Sequence, residues 1–508
     1  MVTTATETEL KYDAPDNAVL PRFDELPAVS RTRQEAQENL EAQYFDTDDL
    51  RLIRAGITLR RRVGGHDQGW HLKMPAGAHT RREIHVPLGD NDLEVPGELA
   101  ERVRVYTRTE ALRPAAVITT VRQRLLLIGE NGDSLAELAV DNVHSQRVND
   151  ALAQDSWREV ELELTGGDRA LLNAADELLR RSGLHHSANS AKFERAVGID
   201  PAVKPGHSRP RLSSLSPAGE VVLAYLSDQA QAMKSLDPAV RASEPDAVHQ
   251  MRIATRRLRS TLQSFGKIIW RSGTDHLAAE LKWLGALLGE ARDVEVLIEH
   301  LNANLNDTPV EQVIGPVQAR VLNHFTPMAA DAHAAVRSAL NSVRYFSLLD
   351  GLDKLVDEPS LTTAASKPAG AVLRRAAGSA YRRTRRRMRR AERTPAGQAK
   401  DVALHQARKA AKRSRYCAEA ASLAMGKQAS QFARQMKQIQ SLLGDHQDSV
   451  ISRRTERELG IAAALAGENA FTYGLLYERD VKAGANAQAK AFRKWAKQAR
   501  PRHLDWMS

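Results

Sequence analysis

Sulfur and aromatic chemistry are both scarce in this 508-residue chain: it holds one cysteine, Cys417, and its aromatics make up 5% of residues. A lone thiol builds no disulfide framework, which points to a reducing compartment and leaves Cys417 as a small buried helix residue. Few aromatics leave few platforms for stacking single-stranded nucleic acid, and no zinc finger or other base-reading motif is present. No apolar run approaches the ~18 residues that would span a bilayer. Met1 to Leu10 carries acids and threonines instead of a basic start and an apolar core, so no signal peptide is expected. These gaps argue for a soluble, cytoplasmic chain and against membrane or nucleic-acid partners.

What the chain does have is positive charge and length. Lys and Arg number 73 against 63 Asp and Glu, a net charge of +10, which suggests an anionic partner. The length predicts two to four domains. Up to about residue 200, short alternating runs are punctuated by turn pairs such as Gly64-Gly65 and Asn131-Gly132, the second a hairpin signal. Beyond it, long Ala/Leu/Arg/Glu stretches take on helical spacing. Pro201, Pro205, Gly206 and Pro210 mark the join. The expectation is a multidomain β-then-α protein: an antiparallel domain over 1–200, a linker over 201–215 and a helical domain over 216–508.

In a strand, alternate side chains share a face. On that count Glu7, Glu9 and Lys11 face one way and Leu10 and Tyr12 the other. Arg60 and Arg62 oppose Leu59 and Val63, Lys73 opposes Leu72 and Met74, and Arg81, Glu83 and His85 oppose Ile84 and Val86. Arg122 and Arg124 oppose Val121 and Leu125. Glu137 and Asp141 oppose Leu138 and Val140, and Glu159, Glu161 and Glu163 oppose Val160, Leu162 and Leu164. Taken singly, each strand reads as a sheet with a solvated face. Together they read differently, because most repeat one charge type instead of mixing in Thr, Ser and Gln. A closed barrel with these faces turned inward would gather cations for phosphate oxygens and carboxylates for a divalent metal.

Glu7-Thr8-Glu9-Leu10-Lys11 fits the Glu-x-Glu-x-Lys signature of the CYTH, or triphosphate tunnel metalloenzyme, family, and later segments come in that family's order. Tyr44-Phe45-Asp46-Thr47 with Leu59-Arg60-Arg61-Arg62 resembles its "YYDT…LRxR" segment. Lys73, Arg122-Gln123-Arg124 and Glu159 to Glu163 follow, and Ser190-Ala191-Lys192-Phe193 is similar to its closing Ser-Lys motif. The resemblance implies an eight-stranded antiparallel tunnel that binds triphosphate and divalent metal, Mg or Mn, and hydrolyses the terminal phosphoryl group. Lys11, Arg60, Arg62, Lys73, Arg122, Arg124 and Lys192 would neutralise and align the phosphates. Glu7, Glu9, Glu159 and Glu161 would hold metal, with Asp141 and Glu163 behind them, unless Glu163 only balances the cationic wall. Hydrolysis would fall to Glu9, Lys11, Glu159 and Glu161.

The helical part repeats itself. Val248-His249-Gln250-Met251-Arg252 is echoed by Leu404-His405-Gln406-Ala407-Arg408. About forty residues later, Leu287-Leu288-Gly289-Glu290 with Asp293 is echoed by Leu442-Leu443-Gly444-Asp445 with Asp448. Two helical bundles, 216–355 and 365–508, are expected. From His249, basic residues follow at Arg252, Arg256, Arg257 and Arg259; from His405, at Arg408, Lys412, Arg413 and Arg415, with Lys409 alongside. At about 100° per residue the third, seventh and tenth positions fall within about 80° of the histidine. Each copy thus presents a histidine and a cationic stripe with no acid before Glu419, an arrangement that an anion would relieve. These helices, and Arg292 in Gly289 to Asp293, resemble the CHAD family, the conserved histidine α-helical domain. That resemblance implies two four-helix bundles around a basic cavity that binds inorganic polyphosphate. Asp445, His446 and Asp448 suggest capping or arginine pairing in preference to a metal site. A third basic element, with nine arginines from Arg374 to Arg390, either tracks a long polyanion or is a non-specific patch.

The expected protein is a cytoplasmic, metal-dependent inorganic triphosphatase tethered to polyphosphate, with polyphosphate granules as a place of association. The alternatives are a non-catalytic polyphosphate-binding protein, another CYTH activity such as thiamine triphosphatase, RNA triphosphatase or adenylate cyclase, and nucleic-acid binding. Spacing leaves open whether the histidines act as cations or are phosphorylated, and sets no oligomeric state.

Overall fold

The structure, a computed structural model, describes residues 3–498 and 505–507, apart from 16, 27, 78–79, 90–93, 151 and 200–210. Pro201, Pro205, Gly206 and Pro210 of the expected linker lie outside the described residues. The chain divides into two compact units, 1–209 and 210–508.

The first unit is built on β1 (Thr3–Ala14), β2 (Val29–Gln34), β3 (Glu38–Asp46), α1 (Arg51–Arg54), β4 (Thr58–Val63), β5 (Gly69–Pro75) and β6 (Thr80–Val86). Then come α2 (Gly97–Thr107), β7 (Arg113–Gly129), β8 (Ser134–Arg147), β9 (Gln154–Leu164), α3 (Arg169–Arg181), β10 (His185–His186) and α4 (Lys192–Val197). Eight strands run β1-β6-β5-β4-β3-β7-β8-β9, and β9 pairs back onto β1 to close the ring. Closure leaves no free edge among these eight. Strand β2 adds to β7 and the two-residue β10 to β1, outside the ring. Gly132 turns β7 into β8 with φ +85°, and Gly64 leaves β4 at φ +85° against the Asn39 carbonyl, where an added Cβ would stand 2.3 Å from the oxygen.

The alternation has an unusual result: two of the hydrophobic clusters lie outside the ring. Tyr12, Leu138, Val160 and Leu162 pack against Leu171, Leu172, Ala175 and Leu179 of α3. Phe45, Leu59, Trp70, Leu72 and Ile84 pack against α1 and α2. A third cluster, Tyr44, Ile118 and Trp157 with Phe193 of α4, shares the strand faces of the charged lining and packs within the ring beside it. Burial of these apolar faces holds the barrel together, and the charged faces are left to line its interior.

The second unit contains α5 (Ala218–Arg241), α6 (Ala247–Ser264), α7 (Arg271–Asn306), α8 (Val317–Leu340), α9 (Val343–Asp357), α10 (Ala369–Arg393), α11 (Gln398–Met425), α12 (Lys427–Leu465) and α13 (Phe471–Gln498). The duplication relates α5–α8 to α10–α13, and α9 is an added helix in the first half. Both halves open on the same Pro-Ala-Gly step: Pro217 and Pro368 pair as an isolated antiparallel bridge, with Ala218 N–H bonded to Lys367 O and Ala369 N–H to Ser216 O. The two halves also share a core, because Leu301 and Leu305 of α7 pack in one cluster with Leu459 and Ala463 of α12.

Candidate functional site

The barrel encloses a cavity of about 230 Å³. Its lining includes Glu7, Glu9, Lys11, Arg60, Arg62, Lys73, Arg122, Glu161, Glu163 and Lys192 from the expected set. Asp141 and Glu159 lie deeper, 0% and 6% exposed. Arg124 stands outside the lining, donating to Glu137 at 3.1 Å and pairing with Glu38 at 3.5 Å.

Lys192 is the hub. Its ammonium lies 2.8 Å from Asp141 Oδ2, 2.6 Å from Glu159 Oε1 and 2.7 Å from Glu161 Oε1. The local sequence explains how it gets there. Ala191, at the start of α4, offers no cap; instead Glu194 reaches back to accept from the Ser190 N–H at 2.6 Å and the Ser190 hydroxyl at 2.8 Å. Gly198, at φ +69°, ends the helix, a position that suits a residue without Cβ. Phe193 stacks on Tyr44 with centroids 4.9 Å apart. With both ends and the next side chain fixed, Lys192 projects into the acids.

Around this hub every acid meets a cation. Lys11 donates to Glu161 Oε1 at 2.5 Å, and Arg122 forks onto Asp141 at 2.8 and 2.6 Å while also reaching Glu161 Oε2 at 2.8 Å. The Trp157 indole N–H donates to Glu159 Oε2 at 2.6 Å. Burial raises the pKa of Glu161, but Lys11, Lys192 and Arg122 outweigh it and hold the carboxyl well below its usual range. Burial likewise opposes the lowering of Asp141, which Lys192 and Arg122 produce. Farther along the same two strands, β1 and β9, the balance changes. Burial, with Glu7 and Glu9 nearby, pushes Glu163 up to about 8; burial and a hydrogen bond with Glu83 raise Glu7, although Lys73 donates to Glu7 at 2.5 Å.

Asp141, Glu159 and Glu161 each turn one oxygen to within 4.8 Å of the others, and hard carboxylate oxygens suit a small divalent cation. Glu159 Oε1 is buried and makes no directed hydrogen bond despite the nearby lysine. A metal therefore fits this donor set, in competition with Lys192. Glu7, Glu9 and Glu163 lie farther along the adjacent strands β1 and β9 and do not join that trio.

Several lining residues had not been singled out as site residues. Arg81 faces Glu9 at 3.5 Å and donates to Ser190 O at 2.7 Å. Arg60 donates to the Tyr44 hydroxyl at 3.3 Å; burial would raise that phenol, but Arg60, Lys192 and Lys11 lower it. Glu83 and Asp67 also line the cavity, with Asp67 in contact with Arg62. His71, almost fully buried, bonds to Glu83 and the Asp67 carbonyl, both at 2.8 Å. Burial and the surrounding cations hold it far below the usual histidine range. The alternation that picked out Arg60 and Lys73 also marked Arg81 and Glu83.

In the helical unit, the repeat has a geometric reason. Arg252 lies over Gly289 and Arg408 over Gly444: a Cβ added at these glycines would stand 3.5 and 3.2 Å from the guanidinium Nη2 atoms. Arg252 donates to Asp293 at 3.1 Å, and Asp448 supports Arg408. The stripes of α6 and α11 meet, since Arg256 donates to Tyr416 at 3.0 Å and Arg413 to Gln263 at 2.7 Å. Burial, then the charges of Arg256, Arg408 and Arg252, push Lys412 down to about 6. These four cations on two helices are crowded together.

The acid-free stripes expected from the sequence are partly neutralised across helices. Glu419 accepts from Arg257 at 2.9 Å and Arg415 at 2.6 Å, and Arg292 turns to Glu295 and Glu299. Arg259 ends the α6 stripe, and Lys409 stands exposed beside the α11 stripe. His405 bonds Gln447 at 2.8 Å, whereas His249 Nδ1 is buried without a partner; burial and Arg292 lower His249. His446 lies between Asp401, at 3.0 Å, and the Gly484 carbonyl, at 3.1 Å.

A closed antiparallel ring with an enclosed charged interior, followed by duplicated helices, defines a two-part class of protein. Residues 5–196 match the CYTH domain and residues 224–456 the CHAD domain. The chain is 38% identical over 491 residues to the uncharacterized protein Rv2226 of Mycobacterium tuberculosis, covering 93% of this chain and 92% of that protein. It belongs to the family of proteins in which a CYTH domain precedes a CHAD domain. Members of the CYTH family are metal-dependent enzymes of phosphate chemistry. Among solved structures, PptA from Streptomyces chartreusis is similar at 21% identity and TM-score 0.47, covering 55% of this chain and all of that one. The CHAD domain from the plant Ricinus communis is similar at 24% identity and TM-score 0.40, covering 59% and 96%. No helix among the described residues is long and apolar enough to cross a membrane.

Proposed function

We propose that the barrel hydrolyses inorganic triphosphate with Mg or Mn and that the helical unit binds inorganic polyphosphate, in the cytoplasm and at polyphosphate granules. The observation that carries the reading is one enclosed cavity where Arg60, Arg62, Lys73 and Arg122 face the same space as Glu161 and its buried partners. Phosphoryl transfer depends on positioning and on stabilising charge on the equatorial oxygens. Arg60, Arg62, Lys73 and Arg81 bind and orient the phosphates, while Lys11 and Arg122 hold Glu161 in place. Asp141, Glu159 and Glu161 would hold the metal, which supplies charge neutralisation and lowers the pKa of water. Lys192, which now pairs with the same three acids, would be the cation available to phosphate oxygens once those acids hold a metal. The barrel excludes bulk water and keeps these charges in a low-dielectric space.

A binding-only reading draws support from the same hub, because Lys192 already neutralises the trio. The two separate in a colorimetric phosphate-release assay on tripolyphosphate. Wild type releases phosphate with Mg or Mn. The Glu159→Ala/Glu161→Ala variant binds triphosphate and releases none. Binding without release by wild type supports the binding-only reading and sinks the enzymatic one.

A further inference from the structure

Helix α10 is the most one-sided surface in the helical unit. Its buried half is apolar or small: Leu373, Ala377, Tyr381, Thr384, Met388 and Ala391. At about 100° per residue the other half spans roughly 180°, and between Arg374 and Arg393 it exposes nine arginines. Glu392 is the helix's only acid. Among the described residues, none of these arginines is in an ion pair. Solvated helix faces ordinarily mix acids with bases and gain from pairs one turn apart. This face gains nothing and repels itself, so a polyanion is its fitting partner.

The face also adjoins the crowded basic cluster of the histidine helices, for α10 is tied to α11 through the Thr384 and Ser414 hydroxyls at 2.8 Å. Burial lowers the Arg413 guanidinium, and the charges of Arg383 on α10 and Arg259 on α6 lower it further, so the three cations are close. Arg413 in turn bonds Gln263 of α6 and follows Lys412, which is crowded by Arg252, Arg256 and Arg408. Basic side chains thus run from the cluster on the histidine helices to the exposed helix.

We propose that the arginine face of α10 is a continuation of the polyphosphate site: a long inorganic polyphosphate engages the basic cluster of α6 and α11, passes Arg413 and runs along α10. The proposal rests on the reading that the helical unit binds polyphosphate. From 374 to 393 the face is about 29 Å long at 1.5 Å per residue. A chain too short to reach past the cluster gains nothing from it, whereas a longer chain engages both segments at high effective concentration. The charge pattern favours polyphosphate over nucleic acid: Tyr381, the helix's one aromatic, is buried, which leaves no platform for bases.

The test uses the full chain in EDTA, which holds hydrolysis off, and measures Kd for a short oligophosphate, a long polyphosphate and a single-stranded RNA across a salt series. The variants are Arg382→Gln/Arg386→Gln/Arg389→Gln/Arg390→Gln on the face and Arg256→Gln/Arg408→Gln in the cluster, each checked for wild-type helicity. The face variant is expected to bind the short chain like wild type and the long chain about tenfold or more weakly, with the log Kd against log salt slope flattened by about 3. The cluster variant is expected to lose both. Equal long-chain affinity and slope in wild type and face variant overturns the proposal and leaves polyphosphate binding by the helical unit standing. No polyphosphate binding by wild type overturns that reading and the proposal with it. RNA binding lost in the face variant while polyphosphate binding is kept assigns the face to nucleic acid, which also overturns it.

Discussion

Replacing Lys192 by methionine keeps most of the side-chain volume and removes one charge from the centre of three acids. In wild type its ammonium is within 2.8 Å of Asp141, Glu159 and Glu161, and Asp141 is fully buried. Stripping one partner from a buried charge cluster costs about 3–5 kcal/mol. At about 1.36 kcal/mol per decade, that is a roughly 150- to 5,000-fold loss of amide protection in the barrel. The sign with pH follows from the lowered pKa values of Asp141 and Glu161. Their contribution is present above the ordinary carboxylate pKa and disappears as acid titrates the folded protein, so the deficit of the variant is largest at neutral pH and shrinks in acid. Divalent metal acts in the other direction. At a hundredfold excess over its Kd it stabilises by about 2.7 kcal/mol, and it does so more in the variant, where no ammonium competes for the trio. Native-state hydrogen exchange of the β8 and β9 amides in the full chain, in EDTA and in Mg, reads both effects. Protection in EDTA within a few-fold of wild type would refute the reasoning.

Glu163→Gln should flatten the fall in barrel stability between about pH 4.5 and 8: the folded carboxyl, raised to about 8, keeps its proton where the unfolded one loses it, so wild type loses stability with rising pH across that window. Exchange in β9 against pH tests this. Lys412, lowered to about 6, is largely neutral at pH 7.5 in the free protein and should take up a proton when a polyanion arrives. Titration calorimetry in two buffers of different ionisation enthalpy should show that uptake in wild type and none in Lys412→Met. Gly444→Ala, whose new Cβ meets Arg408 at 3.2 Å, should weaken polyphosphate binding several-fold while raising helix stability by up to about 1 kcal/mol; Gly289→Ala, at 3.5 Å from Arg252, should disturb binding less.

Much of this was legible in the sequence because two of its signals are periodic. A period of two put Glu7, Glu9 and Lys11 on one face and Leu10 and Tyr12 on the other, and the ring has that arrangement. The repeated Leu-Leu-Gly and His-Gln-x-Arg blocks announced the duplication, and the stacking of Arg252 and Arg408 over glycines is its physical content. Pairing between distant segments was not legible. Nothing local shows that Glu419 of α11 takes Arg257 of α6, that Lys192 reaches across to Asp141 and Glu159, or that Arg124 spends its charge on Glu38 and Glu137. Each depends on which strands or helices become neighbours. β10, only two residues long, carries too short a pattern to read, and α9 breaks the symmetry that the repeat led one to expect.

The central claim is that the charged interior of the barrel cleaves a phosphoanhydride bond. Following tripolyphosphate by phosphorus NMR with the full chain and Mg or Mn tests it directly. Orthophosphate and pyrophosphate appearing in equal amounts, abolished by Glu159→Ala/Glu161→Ala, is the predicted result. Tripolyphosphate resonances that stay unchanged with either metal would contradict it.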